Sequence, residues 1–520
     1  MENFDVVVVG AGVGGFTAAA LFQKDGAKTL LLEAHDKPGG CAGYFYHRGY
    51  NFDAGATVLM GLDEAGLHSQ VYDAIGVVPP ESTLVECVRV HLPDRTVNIF
   101  HDRALWERER VEKFAANPDE ARRLEKFWKL VDRTADILWR TTENLPALPL
   151  RGPRDLFLNL RLITPELVFL PSIGFSTVES VLKRFKLAEH RPFRAFLDGL
   201  LLITTQETAE NAPFANAAAG LDIYRHGIRR ARGGMKTFVK SHIEAFRALG
   251  GRFQRKRKVT AIEPLSDGAF RVTTDDGKTV RAGKVIANLP VWNVPGLIHG
   301  KTVSSAPLKR AGEGWGAFTC YIGAHQAVIP DDTPLNHQVL MDYDAPFRDC
   351  NSCFLSLCEP DDRLSAPEGR RTLNVSTHTN VADWENLSPE QYAGKRDELT
   401  RRMLAAVEKV FPDIRNGVDF ILPGTPRTFE RYTHRARGMV GGIKTGLWNS
   451  NLFANGPADF GLKNFRVVGD TVFPGQGTMA CALSAINVWR DLSGKWTLRP
   501  AAGKNAAGVL PVGGSSVIQS

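Results

Sequence analysis

The sequence predicts an α/β fold: a three-layer domain built on a parallel sheet and assembled from discontinuous stretches of chain, joined to an α+β domain. Three observations predict it. The chain opens on a strand, a glycine-rich turn, a helix and a second strand, in that order. A second glycine-rich turn, again leading from a strand into a helix, stands near residue 470. Between the two, the hydrophobic pattern changes from strand-like to helical and back.

Asn3 to Val9 reads NFDVVVV, a short β-branched run suited to a strand buried on both faces. Gly10-Ala11-Gly12-Val13-Gly14-Gly15 follows and satisfies G-x-G-x-x-G. Phe16 to Gln23 reads as a helix that Gly26 ends, and Lys28 to Leu32 as a second strand closing on Glu33. Gly10 suits a tight turn, Gly12 leaves room for a pyrophosphate, and Gly15 lets helix and strand pack closely. The helix N-terminus adds free N–H groups and a favourable dipole. Glu33 stands where it can accept from both ribose hydroxyls of an adenosine, and its charge disfavours the 2′-phosphate of NADP. This is a Rossmann-like dinucleotide site, open at this point to NAD or FAD.

Ala34 to Gly43 carries a second glycine turn at Gly39-Gly40, and the aromatic alternation from Tyr44 to Gly55 suits a hairpin. NAD dehydrogenases have no need of this turn after the acid, so FAD is favoured. Residues 84 to 100 read as a β-meander with a turn at Pro93-Asp94, and residues 104 to 206 as helices. Asp155 to Pro171 is the most apolar patch there, flanked by Arg151, Arg154 and Arg161. It suits either a helical cap with an apolar core or a face that docks on a membrane surface. Arg232-Gly233-Gly234-Met235 opens a helix, Lys236 to Leu249. A meander from Lys258-Val259 through Val280 ends on an apolar strand, Lys284 to Pro290, which returns the chain to the nucleotide domain. Strands and loops follow to residue 425, including Leu373 to Thr379, with a helix near 390–410.

Asn464 to Asp470 is a strand ending in Gly469-Asp470, and Gly475-Gln476-Gly477-Thr478-Met479 leads into a helix, Ala480 to Leu492. Asp470 can accept from a ribityl hydroxyl. The N–H groups of Gly477, Thr478 and Met479 suit the N1–C2=O edge of a reduced flavin, where negative charge collects. Residues 1–80, 225–300 and 425–495 are thus expected to form the cofactor domain, 81–224 and 301–424 the substrate domain, and 496–520 a loose tail.

The 520 residues are 43% hydrophobic and 23% charged, ordinary for a soluble globular protein. The formal net charge of +7 is spread along the chain. No zinc finger, helix-turn-helix signature or long arginine tract argues for nucleic acid. Cys350 and Cys353 have C-x-x-C spacing, but no second pair completes a metal site, so no metal is expected. An odd cysteine count without a signal peptide suits the cytoplasm, and no run of eighteen apolar residues is present to span a bilayer.

Taken together, these motifs resemble the FAD-dependent phytoene desaturase and carotenoid isomerase superfamily, which includes retinol saturases and is more distantly similar to amine oxidases. The resemblance is carried by Gly10 to Gly15, Glu33, Gly39-Gly40, Gly49 to Gly55, Gly233-Gly234-Met235, Gly469-Asp470 and Gly475 to Gly477. Cys41-Ala42-Gly43-Tyr44-Phe45 and Phe473 to Gly477 are similar to the carotenoid-isomerase branch, whereas bacterial phytoene desaturases usually place Arg directly after the Gly-Gly pair. The resemblance implies a glutathione-reductase-type FAD domain, with Gly10, Gly12, Gly14, Gly15, Glu33, Gly39, Gly40, Gly55, Val259, Gly469, Asp470, Gly477, Thr478 and Met479 about the cofactor. It implies a long apolar isoprenoid as substrate, desaturated by hydride transfer to the flavin or isomerised with no net redox change. A quinone or oxygen would accept electrons in the first case, and peripheral membrane contact suits either.

No catalytic base is assigned. Glu207, Glu210 and His378 are polar residues in otherwise apolar or family-like stretches, but the carboxylates also fit a solvated face and His378 a buried core histidine. Two other readings follow from the same resemblance. An amine oxidase would need an aromatic cage at the flavin. A non-catalytic prenyl binder, like the Rab GDP-dissociation inhibitors, would not need the intact loop at 469–479.

Overall fold

The computed structural model describes residues 1–148, 153–160, 162, 173–447 and 458–498. The opening strand (Glu2–Val9) runs parallel to Thr29–Glu33 on one side and Thr279–Ala287 on the other. Val6, Val7 and Val8 are therefore buried on both faces, as a continuous β-branched run requires. The strand Thr279–Ala287 joins the remaining pieces. Its first half pairs antiparallel with Phe270–Thr274, and its last three residues pair parallel with Phe465–Val467. One seven-stranded sheet thus draws on three distant stretches of chain, residues 2–33, 252–287 and 465–467.

Three helices cover one face of this sheet: Val13–Lys24, Met235–Ala248 and Thr478–Ser493. Phe16, Phe238 and Ile486 are buried in their shared core. The first and last of these begin three and two residues earlier than the apolar periodicity predicts. Gly14 and Gly15 lie inside the first helix because that helix packs directly on the preceding turn.

A second seven-stranded sheet is ordered Val418–Gly424, Gly316–His325, Arg370–Thr379, Ser352–Leu357, Asn336–Leu340, Cys87–His91, Thr96–Phe100. One face carries Leu355, Leu373 and Val375 and buries them with Met403 of the helix Pro389–Glu408. That helix starts with a capping box between Ser388 and Gln391. Over the sheet's other face lie helices including Arg191–Thr205 and Phe214–His226, braced by Pro118–Glu143. Arg110 and Asp132 are buried within this cap as a two-pronged pair at 2.8 and 2.6 Å.

One expectation is corrected. The meander at 84–100 is a two-stranded hairpin, Cys87–His91 with Thr96–Phe100. Ser82–Leu84 instead pairs with Ile228–Ala231 in a separate small sheet, where the Ser82 hydroxyl accepts from Arg229. Cys350 and Cys353 are buried in the core behind the second sheet, and all seven cysteines are free thiols. Among the described residues no helix is long and apolar enough to cross a membrane, and no cluster of potential metal ligands occurs. Of the apolar patch at 155–171, residues 155–160 belong to the helix Pro153–Leu160; residue 161 and residues 163–171 lie outside the described residues, as does the tail from 499.

Four histidines, three of them buried and His91 half-buried, are held neutral chiefly by their removal from water. His68 and His242 lie between the first sheet's helices, with values pushed down from 6.5 to about 3 and about 4. His91 and His337 meet ring to ring at 3.2 Å in the second sheet, at about 4 and about 3. Each folded value lies below the unfolded one, so the unfolded chain binds more protons once pH falls below 6.5. These histidines are expected to cost stability as pH falls below 6.5, on the order of 1–2 kcal/mol each near pH 5, an effect partly offset by Asp198 and Asp222, whose burial raises them to about 6. Urea unfolding near pH 7.5 and near pH 5 checks this. His242→Phe should reduce the pH dependence, and equal stabilities at the two pH values would contradict it.

Candidate functional site

At the end of the first strand, Gly10 turns the chain with φ +94°, and the N–H of Gly10 donates to Leu32 O at 2.8 Å. The first helix sits directly on this turn. A Cβ on Gly15 would stand 2.0 Å from the carbonyl oxygen of Gly10, so no other residue fits there. Asn288, just past the strand Thr279–Ala287, closes the turn from the other side. Cβ atoms on Gly12 and Gly14 would lie 2.6 and 2.9 Å from its amide nitrogen and oxygen. The second glycine turn adds a wall, because Gly39 (φ +118°) donates its N–H to Ala11 O at 2.8 Å and bridges to Gly12. Gly40 follows, and Gly55 packs against the carbonyl of Cys41.

Glu33 stands at the rim of this cradle. One carboxylate oxygen accepts the N–H of Ala11 at 2.7 Å, the other the N–H of His35 at 2.8 Å. A carboxylate oxygen has a second lone pair, so both can still accept from a ligand. Burial raises the carboxyl's affinity for its proton, and the two backbone donors partly reverse that. Val259, at the start of its strand, lines the same end of the cavity.

At the other end, Gly469 donates to Ser484 Oγ at 3.0 Å. The helix Thr478–Ser493 begins at Gly477 with no side-chain cap. The N–H groups of Thr478 and Met479 therefore lack the intrahelical acceptors that later turns have, and they border the cavity. Gln206 donates its amide to Gln476 at 2.8 Å, and Gln476 donates to Ile203 O at 2.8 Å, tying this turn to the helix Arg191–Thr205.

Arg435 was not singled out by sequence. It is buried, with its guanidinium 2.9 Å from Asp470 Oδ2 and 3.3 Å from Oδ1, and it lies against Cys41, whose thiol burial pushes up. The neighbouring Arg431 and Arg437 would give the same local reading, and only tertiary burial distinguishes Arg435. Residues 432–442 carry it along the cradle. Tyr432 meets His35 edge to face at 5.8 Å at the Glu33 end, and a Cβ on Gly442 would stand 2.4 Å from Asp470 O at the other. Asp53, in the Gly49–Gly55 motif, accepts the N–H of Met235 at 2.7 Å and pairs with buried Arg230 at 3.2 Å, joining two motifs far apart in sequence.

The cradle opens into a single cavity of about 1680 Å³ that continues between the helices Arg191–Thr205 and Phe214–His226 and the second sheet. Leu202, Ile203 and Ile223 line it from the helices, Phe354 and His378 from the sheet. Glu207 and Glu210 stand outside it. Glu210 is exposed, and Glu207 accepts from Asn211 at 3.2 Å. His378 is in the cavity wall, edge-on to Trp315 at 5.8 Å. It is half-buried and lines the cavity. Enclosure by protein, with the nearby charge of Lys444, lowers it to about 4 and keeps it neutral.

The family described as flavin-containing amine oxidoreductase matches residues 13–488. The chloroplastic prolycopene isomerase of Arabidopsis thaliana is 28% identical over 506 residues, covering 93% of this chain and 81% of that protein. The all-trans-retinol 13,14-reductase of Danio rerio is 23% identical, covering 94% and 87%. Among solved structures, cyclohexylamine oxidase from Brevibacterium oxydans IH-35A superposes with a TM-score of 0.60 at 14% identity, over 95% of this chain and 100% of that one, which shows a shared fold.

Gly12→Val is expected to abolish flavin retention, because the new side chain meets the Asn288 amide and fills the cradle. Glu33→Ala should weaken retention by about 1–3 kcal/mol, the scale of a lost charge-assisted hydrogen bond. Flavin content after dialysis measures both, and a fully loaded Gly12→Val variant would refute the placement.

Proposed function

The chain belongs to the flavin-containing amine oxidoreductase family, and from that premise we propose that it isomerises a long apolar polyene from cis to trans beside its FAD. It is an FAD-dependent oxidoreductase of the kind that acts on polyenes. The observation that carries the reading is the single cavity, which joins a dinucleotide cradle to a groove walled by Leu202, Ile203 and Ile223.

The residues present fit FAD. Cβ atoms would fill the cradle at Gly12, Gly14 and Gly15, Glu33 has lone pairs left for a ribose, and uncapped N–H groups stand at Thr478 and Met479. FAD bound there supplies the capacity to exchange a hydride with carbon. The uncapped helix start at Gly477 would stabilise negative charge developing on a bound flavin. Arg435 and Asp470 hold a buried charge pair beside the cradle, and the Gln206–Gln476 pair fixes the turn against the substrate helix. Leu202, Ile203 and Ile223 give the groove an apolar wall on its helical side. The Cys41 and Phe473–Gly477 features, with the prolycopene isomerase relative, favour isomerisation over desaturation.

The helix Pro153–Leu160 supports peripheral membrane contact, since Leu156, Phe157 and Leu160 are all more than half exposed and Phe175 is 70% exposed. Such a face suits the headgroup boundary of a bilayer. Because Phe157 has little core to lose, Phe157→Asp should stay folded and lose flotation with anionic vesicles. A folded variant that still floats removes the docking face.

The isomerisation reading is tested by incubating pre-reduced holoenzyme anaerobically with a cis-polyene. Product should be the trans isomer, with no acceptor consumed and no turnover by oxidised enzyme. One quinone reduced per double bond introduced, by oxidised enzyme, would instead establish desaturation.

A further inference from the structure

The wall that the second sheet turns toward the cavity is polar, although its reverse face is apolar core. Strand register sets two rows across this wall. Tyr321, Asn374, Ser356 and Asn336 stand side by side, and next to them Thr319, Ser376, Phe354 and Gln338. The first row has partners built into the fold. Tyr321 donates to Ala54 O and Asn374 to Asp53 O at 2.8 Å, while Ser356 accepts from Asn336 and from Arg230. Through Tyr321 and Asn374 that row holds the Gly49–Gly55 motif, and Asn336 Oδ1 is left without a partner among the described residues.

The second row differs. Gln338 donates to Ser352 at 2.7 Å and Thr319 bonds to Gly424 O, but the Ser376 hydroxyl has no hydrogen bond to protein among the described residues. Two positions along the same strand, the ring nitrogens of His378 have none either, and the ring is neutral. Across the cavity, Asn216 on the helix Phe214–His226 is half-buried, lines the same space and has no partner among the described residues. A neutral hydroxyl, imidazole and amide can each donate and accept. A bare hydrocarbon would displace water from all three and replace none of its hydrogen bonds.

We infer that the substrate is a polyene carrying a hydroxyl or carbonyl oxygen, and that Ser376, His378 and Asn216 form the subsite that receives it. This rests on the proposal that a polyene occupies the groove. It narrows the class from hydrocarbon carotenoids to oxygenated isoprenoids. The three groups are themselves neutral, and the nearest charge at His378 is that of Lys444.

The test titrates holoenzyme anaerobically with all-trans-retinol and with deoxyretinol, which differ by one hydroxyl, and with lycopene, following perturbation of the flavin absorbance. Retinol should bind about tenfold tighter than deoxyretinol, as expected for two or so hydrogen bonds. The ratio should fall to near one in Ser376→Ala/His378→Leu and shrink in Asn216→Leu, with flavin content and circular dichroism unchanged. Equal affinities in the wild type, or a ratio that none of the substitutions alters, would overturn the subsite. Perturbation by lycopene alone would overturn it while leaving the polyene reading standing. No perturbation by any of the three would remove the polyene reading as well.

Discussion

The close approach of the first helix to the turn before it sets the terms for the rest of the molecule. With Gly15 set so close to the carbonyl of Gly10, the helix N-terminus points into the space above the strand ends. Asn288 fixes the turn from beneath, and it can do so only because the strand Thr279–Ala287 delivers it there. That strand in turn positions Phe465–Val467 and hence Gly469 and Asp470. A side chain anywhere in this stack would move both ends of the glycine cradle together.

The second sheet solves a different problem. Its strands must present one face to the core around Met403 and another to a ligand cavity. The two-residue period of a strand does this directly, with Leu373 and Val375 pointing one way and Asn374, Ser376 and His378 the other. The Gly49–Gly55 motif and the cavity wall meet in this sheet, because Tyr321 and Asn374 hold the backbone of Asp53 and Ala54. Asp53 also caps the start of Met235–Ala248 and pairs with Arg230. Cavity wall, glycine motif and helix are therefore joined by hydrogen bonds through Tyr321 and Asn374, and a change at either of these two is felt at the cradle.

Residues 432–442 complete the enclosure. They run beside the cradle from His35 to Asp470 and place a buried cation midway, next to Cys41. The guanidinium keeps its charge there because Asp470 faces it at ion-pair distance. Bacterial phytoene desaturases usually carry Arg where this chain has Cys41. Here a cation stands beside that position from elsewhere in the chain.

Much of this was legible in the sequence, for local reasons. A β-branched run before G-x-G-x-x-G, an acid at the end of the next strand, and a glycine turn opening a helix each encode a backbone geometry within about thirty residues. That was enough to read FAD as the cofactor, the separate pieces of the first sheet and a strand at 373–379. What sequence could not supply was long-range pairing. Nothing local assigns Ser82–Leu84 to a strand near residue 230, selects Arg435 from its basic neighbours, or sends Glu207 away from the cavity that His378 enters. Those outcomes depend on which surfaces come together when the three segments of the first sheet close. Burial and partner are properties of that closure, so only the tertiary structure decided them.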